Sequence, residues 1–247
     1  MIAALCFVTL ALADPSATFA AANDAIAAGD LPSAEAGLRT LVNEGYADAD
    51  VYYNLGNVLW RAEAPADAVL AWRRAQALAP RDPDIAANLD FGRRSLVDGI
   101  APAYPAPALA PWMLAVTAGE ATWLGCALLG VGLLVAGASG RAHALRKRDG
   151  AAVAAAAVAV GLGLALVAGA EAHVAGPRAA VVRVASVKAT SDLGGGIELF
   201  ELHAGAEVLA PQVAAGHTLV QLPDGRRGWV PDAAVGVVDP ALPLPAR

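Results

Sequence analysis

Cysteine, histidine and aromatic residues are scarce in this chain of 247 residues. The two cysteines, Cys6 and Cys126, both lie in apolar runs, so neither polar part of the chain holds a thiol for a disulfide or a zinc site. The four histidines do not have metal-ligand spacing: His143, His173, His203 and His217. No Ser–His–acid group and no glycine motif stands in the context that catalysis or phosphate binding requires. The sequence therefore predicts no cofactor, no metal site and no enzymatic activity.

Basic residues are also few. There are 17 Lys and Arg against 23 Asp and Glu, which gives a net charge of −6. A chain of this balance offers no basic surface to a nucleic acid, so we expect no nucleic-acid partner. The one basic cluster lies within residues 140–150, in RAHALRKRDG.

Two apolar runs flank that basic cluster, Thr122–Ser139 and Ala151–Ala170, and neither contains a charged residue. A bilayer core of about 30 Å needs about 20 apolar residues in a helix. The sequence therefore predicts a transmembrane hairpin over residues 112–175. Its basic loop, 140–150, would lie on the cytoplasmic side, and both chain ends would lie on the other side. A buried helical hairpin is the alternative.

The first residues, 1–13, read MIAALCFVTLALA, an apolar run that ends in a small-x-small pattern. This pattern is typical of a cleaved signal peptide, although no Lys or Arg precedes the apolar run. An uncleaved anchor is the alternative. Export of the following residues agrees with the topology that the basic loop predicts.

Residues 14–97 have the periodicity of paired helices. One stretch fits the repeat of about 34 residues called the tetratricopeptide repeat. Small residues at two of its positions would let two helices cross closely, large residues would fill the space around the crossing, and a proline would end the second helix. The motif positions are Tyr52, Leu55, Gly56, Leu59, Ala68, Trp72, Ala75 and Pro80. We expect an α-solenoid of about two repeats and a capping helix, whose outer face would be polar at Asp90 and Arg93.

The first helices of such repeats line a concave face that can bind a protein. The candidate face residues are Asn54, Asn57, Val58 and Arg61. The alternative is that these side chains only solvate the helix. The next stretch, 98–111, is rich in Pro and Ala and is predicted to be an extended tether.

Residues 176–240 contain short β-branched segments separated by glycine-containing turns, which predicts a small all-β barrel. The stretch RRGWVPDAAV resembles a bacterial SH3-like domain through Gly228, Trp229, Val230 and Pro231. Ala233 and Ala234 replace the Asn and Tyr that help form the proline-binding groove of SH3 domains, so we do not expect this domain to bind proline-rich peptides. Trp229 could anchor a ligand, but the favoured interpretation is that it packs against the barrel.

The whole order of segments resembles the E-type member of the Bat (aerotolerance) family of bacteria. The predicted fold class is thus a multi-domain α + β membrane protein: an α-solenoid, a two-helix transmembrane hairpin and a small SH3-like barrel. The resemblance implies a scaffold in the bacterial inner membrane, in contact with the lipid bilayer. It would work beside membrane-anchored von Willebrand A domain proteins and a MoxR-type ATPase, in envelope stress or maturation. Two alternatives stay open: an adaptor whose barrel binds peptidoglycan, and an envelope sensor that signals through the hairpin.

Overall fold

A computed structural model describes residues 14–46, 48–98, 118–143, 158–164 and 178–242 of the chain. The predicted signal peptide, nearly all of the predicted tether and most of the basic loop lie outside these residues. Of the second apolar run, Ala151–Ala170, the structure describes only 158–164.

Five helices form an array at the start of the chain. They are α1 Pro15–Ala28, α2 Leu31–Asn43, α3 Ala49–Arg61, α4 Pro65–Leu78 and α5 Pro83–Ser95. Aspartates cap four of them, because the carboxylates of Asp14, Asp30, Asp48 and Asp82 accept hydrogen bonds from backbone N–H groups of the first turn. Hydrogen bonds from Ser16 and Ser33 hold the pKa values of Asp14 and Asp30 below the ordinary range. Each helix packs against the next one in the chain, so the array is a series of helical hairpins.

Helices α3 and α4 approach each other closely at Gly56. A Cβ atom at this position would lie 2.4 Å from Cδ1 and Nε1 of Trp72, so only glycine fits. The other residues of the predicted repeat that surround this crossing are buried: Tyr52, Leu55, Leu59, Ala68 and Ala75. The residues of the predicted repeat therefore form the core of this crossing.

Helix α4 is covered on every side. All residues from Ala66 to Ala75 are buried, and they include Asp67, Arg73 and Arg74. A helix at the surface would bury only one stripe and leave charged residues in water. The charged residues of α4 are buried because the C-terminal sheet packs against α4 and its side chains pair with them.

The C-terminal module, 178–242, is an antiparallel sheet. Its strands are β1 Arg178–Val182, β2 Ser186–Thr190, β3 Glu198–His203, β4 Glu207–Ala214, β5 His217–Gln221, β6 Arg227–Pro231 and β7 Val235–Val237, with a 3-10 turn at Asp232–Ala234. Within the described residues the strand order is β3-β2-β6-β5-β4-β1-β7. The edge strands β3 and β7 do not pair with each other, so the sheet is open.

The prediction of a closed SH3-like barrel is therefore wrong. Side chains from the helical array hydrogen-bond to both edges of the sheet. Arg74 donates to the Val237 carbonyl of β7 at 3.0 Å, and the His203 N–H of β3 donates to Asp98 at 2.6 Å. Both groups point away from the neighbouring strand of the sheet. The array thus satisfies polar groups that closure would have paired.

The prediction of a transmembrane hairpin is also wrong. Helix α6 spans Ala118–His143, and a second helical segment of seven residues spans 158–164. Among the described residues, no helix has both the length and the apolar character that crossing a bilayer requires. Helix α6 carries Glu120 near its start and Arg141 near its end. This finding also contradicts the predicted location in the inner membrane with two transmembrane helices.

Helix α6 contacts the helical array through a charged pair. Glu120 accepts a hydrogen bond from Arg81, which lies between α4 and α5, at 2.7 Å. The segment 158–164 packs closely on α6, since a Cβ at Gly163 would lie 2.7 Å from the Gly125 carbonyl oxygen. The two apolar runs of the sequence therefore meet as helices in the described residues.

Candidate functional site

The predicted binding residues of α3 are divided between its surface and its core. Asn54 and Asn57 are half-buried and Arg61 is exposed. Val58 is completely buried and belongs to the array core, so it does not lie on an open face. With 3.6 residues per turn, Val58 points about 100° away from Asn57, and this rotation turns it into the core.

Four asparagines connect the first helices of successive hairpins. Asn54 of α3 donates to Oδ1 of Asn23 in α1 at 2.9 Å, and Asn88 of α5 donates to Oδ1 of Asn57 in α3 at 2.8 Å. Each partner is 31 residues away in the chain. The indole N–H of Trp72 also donates to Oδ1 of Asn57, at 3.1 Å. This asparagine ladder, defined by its four members, holds α1, α3 and α5 side by side.

Aromatic side chains accompany the ladder. Phe19 of α1 and Tyr53 of α3 are half-buried, and Phe91 of α5 is 48% exposed. Trp60 makes an edge-to-face contact with Phe91, with ring centroids 5.1 Å apart. It also stacks on Trp72, with ring centroids 5.5 Å apart. We call the surface that these helices share the open face and define it by Phe19, Asn23, Tyr53, Asn54, Asn57, Arg61, Asn88 and Phe91.

Sequence reasoning missed the aromatic members of the open face. A signal for them exists, because Tyr53 lies one helical turn before Asn57 and Phe19 lies 34 residues before Tyr53. Phe91 likewise lies 34 residues after Asn57. The repeat period therefore maps all three aromatic residues onto the surface of the predicted asparagines.

Charge is distributed unevenly across the open face. Arg61 is its only basic member, is exposed at the end of α3, and forms no ion pair within the described residues. At the other end of the helices, Asp50 and Asp84 are exposed in the first turns of α3 and α5. The ladder between them is uncharged.

The opposite side of the array is closed by ion pairs to the sheet. Glu207 at the start of β4 is 1% exposed and accepts hydrogen bonds from Arg73 of α4 and from Arg93 of α5, the latter at 2.8 Å. Asp67 of α4 accepts from Arg183 at 2.6 Å. Arg93 was predicted to lie on a solvated outer face of the last helix, but it joins that helix to the sheet. Only Asp90 and Arg94 form an exposed pair there.

The chain after β7 is also bound to the array. Arg74 donates to the carbonyl of Leu242 at 2.7 Å, and the Tyr52 hydroxyl donates to the carbonyl of Pro240 at 2.8 Å. Burial lowers the pKa of Arg74 and raises the pKa of Tyr52. The sheet and its C-terminal extension therefore both contact α4 through Arg74.

Trp229 of the SH3-like motif is half-buried on β6. Its neighbours Gly228 and Val230 are buried, so alternation along the strand places Trp229 on the outer surface of the sheet. Leu219 and Thr190 flank it on the two adjacent strands. Part of the ring packs and part is accessible, so the ligand-anchor and packing predictions for Trp229 both stay predictions.

The remaining features of the described residues are two clefts outside the open face. The same described residues contain no group of three His, Cys, Asp or Glu side chains that could hold a metal ion. A cleft of about 430 Å³ between α1 and α2 is lined mostly by small side chains such as Ala21 and Gly37. A second cleft, of about 470 Å³, lies between the α3–α4 turn and the sheet, beside the Asp67–Arg183 pair.

Comparison of the chain with protein-family models, with curated proteins and with solved structures finds no match. The resemblance to Bat proteins therefore stays a prediction from the sequence. Fold and site together describe an array of helical hairpins whose back is covered by an antiparallel sheet and whose open face presents aromatic rings and amides.

Proposed function

We propose that this protein is a non-enzymatic adaptor that binds a segment of a partner protein on the open face of its helical array. The observation that carries the proposal is the half-exposed ring of Phe91 beside the asparagine ladder. Exposed aromatic rings that are held by neighbouring rings are typical anchors of protein interfaces, because they bury a large area at a small cost in side-chain entropy.

The covering of the other side supports the same assignment. The sheet buries the back of α4 with ion pairs and hydrogen bonds, so that side contributes to stability and not to recognition. A partner would therefore meet α1, α3 and α5. The Bat resemblance adds a proposed identity for the partner, a von Willebrand A domain protein in an envelope stress or maturation complex. Only the repeat motif around Gly56 and the RRGWVPDAAV stretch of the sequence support that finer proposal.

The experiment compares two aromatic residues of similar exposure, one on the open face and one off it. Dodecapeptides are selected against the full chain from a phage-displayed library, and the dissociation constant of a selected peptide is measured by calorimetry. Phe91→Ala should weaken binding tenfold or more, because an anchor ring is removed. Tyr46→Ala removes a ring that is 44% exposed in the α2–α3 connection and should change the affinity less than twofold.

Both variants should melt within a few degrees of the wild-type chain, since both rings are substantially exposed. Failure to select any peptide would refute the proposal, as would equal weakening by the two variants.

A second candidate function rests on Trp229. Its accessible ring on the outer face of the sheet favours binding of a glycan or peptide stem of the cell wall, as in the peptidoglycan-adaptor alternative. Trp229→Ala should then stay folded and no longer sediment with murein sacculi. If the ring only packs, the same variant should lose about 3–5 kcal/mol of stability.

A further inference from the structure

We propose that helix α6 is an interface through which two copies of this chain associate, with the two α6 helices antiparallel about a twofold axis. The inference goes beyond the proposed function, because it uses no residue of the open face. It comes from an apolar side of α6 that is exposed in the part of the chain that the structure describes.

This side of α6 is a stripe of two large and two small residues. Trp123 is 80% exposed and Leu134 is 75% exposed, and Ala127 and Gly130 between them are exposed as well. On a helix with 3.6 residues per turn, the four positions point within about 40° of each other. A Cβ at Gly130 would meet no described atom within 4 Å beyond its own stretch of helix. We call these four residues the α6 stripe.

The opposite side of α6 is covered from within the chain. Gly125 and Gly132 are buried there, and a Cβ at Gly163 would lie 2.7 Å from the Gly125 carbonyl oxygen and 2.8 Å from Cγ of Leu129. These α6 positions point about 180° away from the stripe. The segment 158–164 therefore covers one side of α6 and leaves the α6 stripe exposed. A helix that is apolar on every side, as α6 is between residues 122 and 139, is typical of a buried helix.

The exposed apolar area is that of a small specific interface. Leu124 and Val131 flank the α6 stripe, and each is more than half exposed. Together with the stripe they present on the order of 600 Å² per copy, and two copies would bury about 1,200 Å², which is the lower end of the range for stable complexes. Apolar patches of this size on a monomer usually mark an interaction site.

The order of sizes along the α6 stripe identifies the occupant as a second copy. It reads large, small, small, large, so it is unchanged when the direction of the helix is reversed. A twofold axis between residues 128 and 129 would set Trp123 opposite Leu134 of the other copy, and Ala127 opposite Gly130 of the other copy. Such a self-complementary surface is what a twofold dimer requires. The small central residues let the backbones approach, and the large residues fill the space where the two helices diverge.

The charges of α6 agree with an antiparallel pair. Glu120 lies near the start of the helix and Arg141 near its end. An antiparallel arrangement brings the acidic end of one copy to the basic end of the other. It also sets the positive end of each helix dipole beside the negative end of its neighbour. A parallel pair would bring like charges together at both ends.

Sedimentation velocity of the full chain measures the association. We expect a monomer–dimer equilibrium that depends on protein concentration. Leu134→Glu should raise the dissociation constant tenfold or more, because each dimer would bury two carboxylates without partners. The matched control is Val97→Glu, at a residue that follows α5 and is 80% exposed; it should change the dissociation constant less than twofold. Both substituted residues are largely exposed, so both variants should keep the circular dichroism of the wild type.

Disulfide cross-linking in the expressing cells tests the antiparallel register and does not depend on purification. Both natural cysteines are first removed by Cys6→Ala and Cys126→Ala. Ala127→Cys is then introduced into one chain and Gly130→Cys into a second chain with a different tag. After oxidation with copper phenanthroline, co-expression of the two chains should give at least fivefold more cross-linked dimer than either chain alone.

Three results would overturn the inference. The first is a chain that stays monomeric up to about 100 μM, and the second is an equal effect of Leu134→Glu and Val97→Glu. The third is cross-linking that is as strong between like positions as between unlike ones, since this would indicate a parallel or random contact. Sedimentation of a monomeric chain with phosphatidylcholine vesicles, abolished by Leu134→Glu, would assign the α6 stripe to lipid and would overturn the inference as well.

Discussion

Substitution of Gly56 by alanine tests the packing on which the array depends. The added Cβ would lie 2.4 Å from two atoms of the Trp72 indole. Trp72 is 2% exposed, stacks on Trp60 and donates its N–H to Asn57. The ring cannot retreat without breaking these contacts, so the extra methyl group must be accommodated by strain.

The magnitude has three contributions. Overpacking of a close core costs about 1–3 kcal/mol, and loss of the Trp72 hydrogen bond leaves a buried N–H unsatisfied at a cost of about 1–3 kcal/mol. Alanine recovers about 1 kcal/mol because it is a better helix former than glycine. The net destabilisation of Gly56→Ala is therefore about 1–5 kcal/mol.

The assay is urea unfolding of the full chain followed by circular dichroism, with Gly37→Ala as the control. A Cβ at Gly37 would lie 3.2 Å from the Cβ of Ala22, so a shift of a few tenths of an ångström accommodates it. We expect its stability to stay within about 1 kcal/mol of the wild type. A Gly56→Ala variant that unfolds at the same or a higher urea concentration than the wild type would refute the packing argument.

Three further outcomes are expected. Glu207→Gln should destabilise the full chain by about 3–5 kcal/mol in urea unfolding, because it leaves the buried Arg73 without its counter-charge; a wild-type midpoint would contradict this. Asp98→Ala should accelerate hydrogen exchange of the His203 amide relative to the wild type. Asp98→Asn keeps an acceptor oxygen, so its His203 amide should exchange more slowly than in Asp98→Ala; equal rates in the two variants would exclude the capping role. Glu63→Gly should raise stability by about 0.5–1 kcal/mol in thermal unfolding, because Glu63 has a φ of +57° that favours glycine; a lower melting temperature would argue against it.

The helices of this fold could be predicted because the residues that indicate them lie close together in the sequence. Aspartate caps, prolines at the first helical positions and the apolar period of α3 and α4 act within a few residues of each other. The close approach of Gly56 to Trp72 spans one hairpin, and the repeat motif anticipates the residue types. Short strands and glycine turns indicated the sheet in the same way.

The two errors of fold class have a common cause: each treated a segment in isolation. Alternating strands indicate a sheet but do not decide whether its edges pair, and here Asp98 and Arg74 of the array cap them. The composition of an apolar run likewise does not decide where the helix begins and ends or what its charged residues pair with. Among the described residues no helix is long and apolar enough to cross a bilayer, and Glu120 of α6 is paired with Arg81.

The sequence by itself determined the helices, their caps and the asparagines of α3, because backbone geometry repeats every few residues and makes local patterns readable. Only the tertiary structure decided which surface stays open. Glu207 meets Arg73 and Arg93 across 134 and 114 residues of chain, and no periodicity links such positions. Charged side chains are buried only where an oppositely charged side chain pairs with them in good geometry, because an unpaired buried charge is too costly. The docking of the sheet onto α4 therefore assigns one side of the array to stability. The asparagine ladder and Phe91 lie on the other side, where we propose that a partner binds.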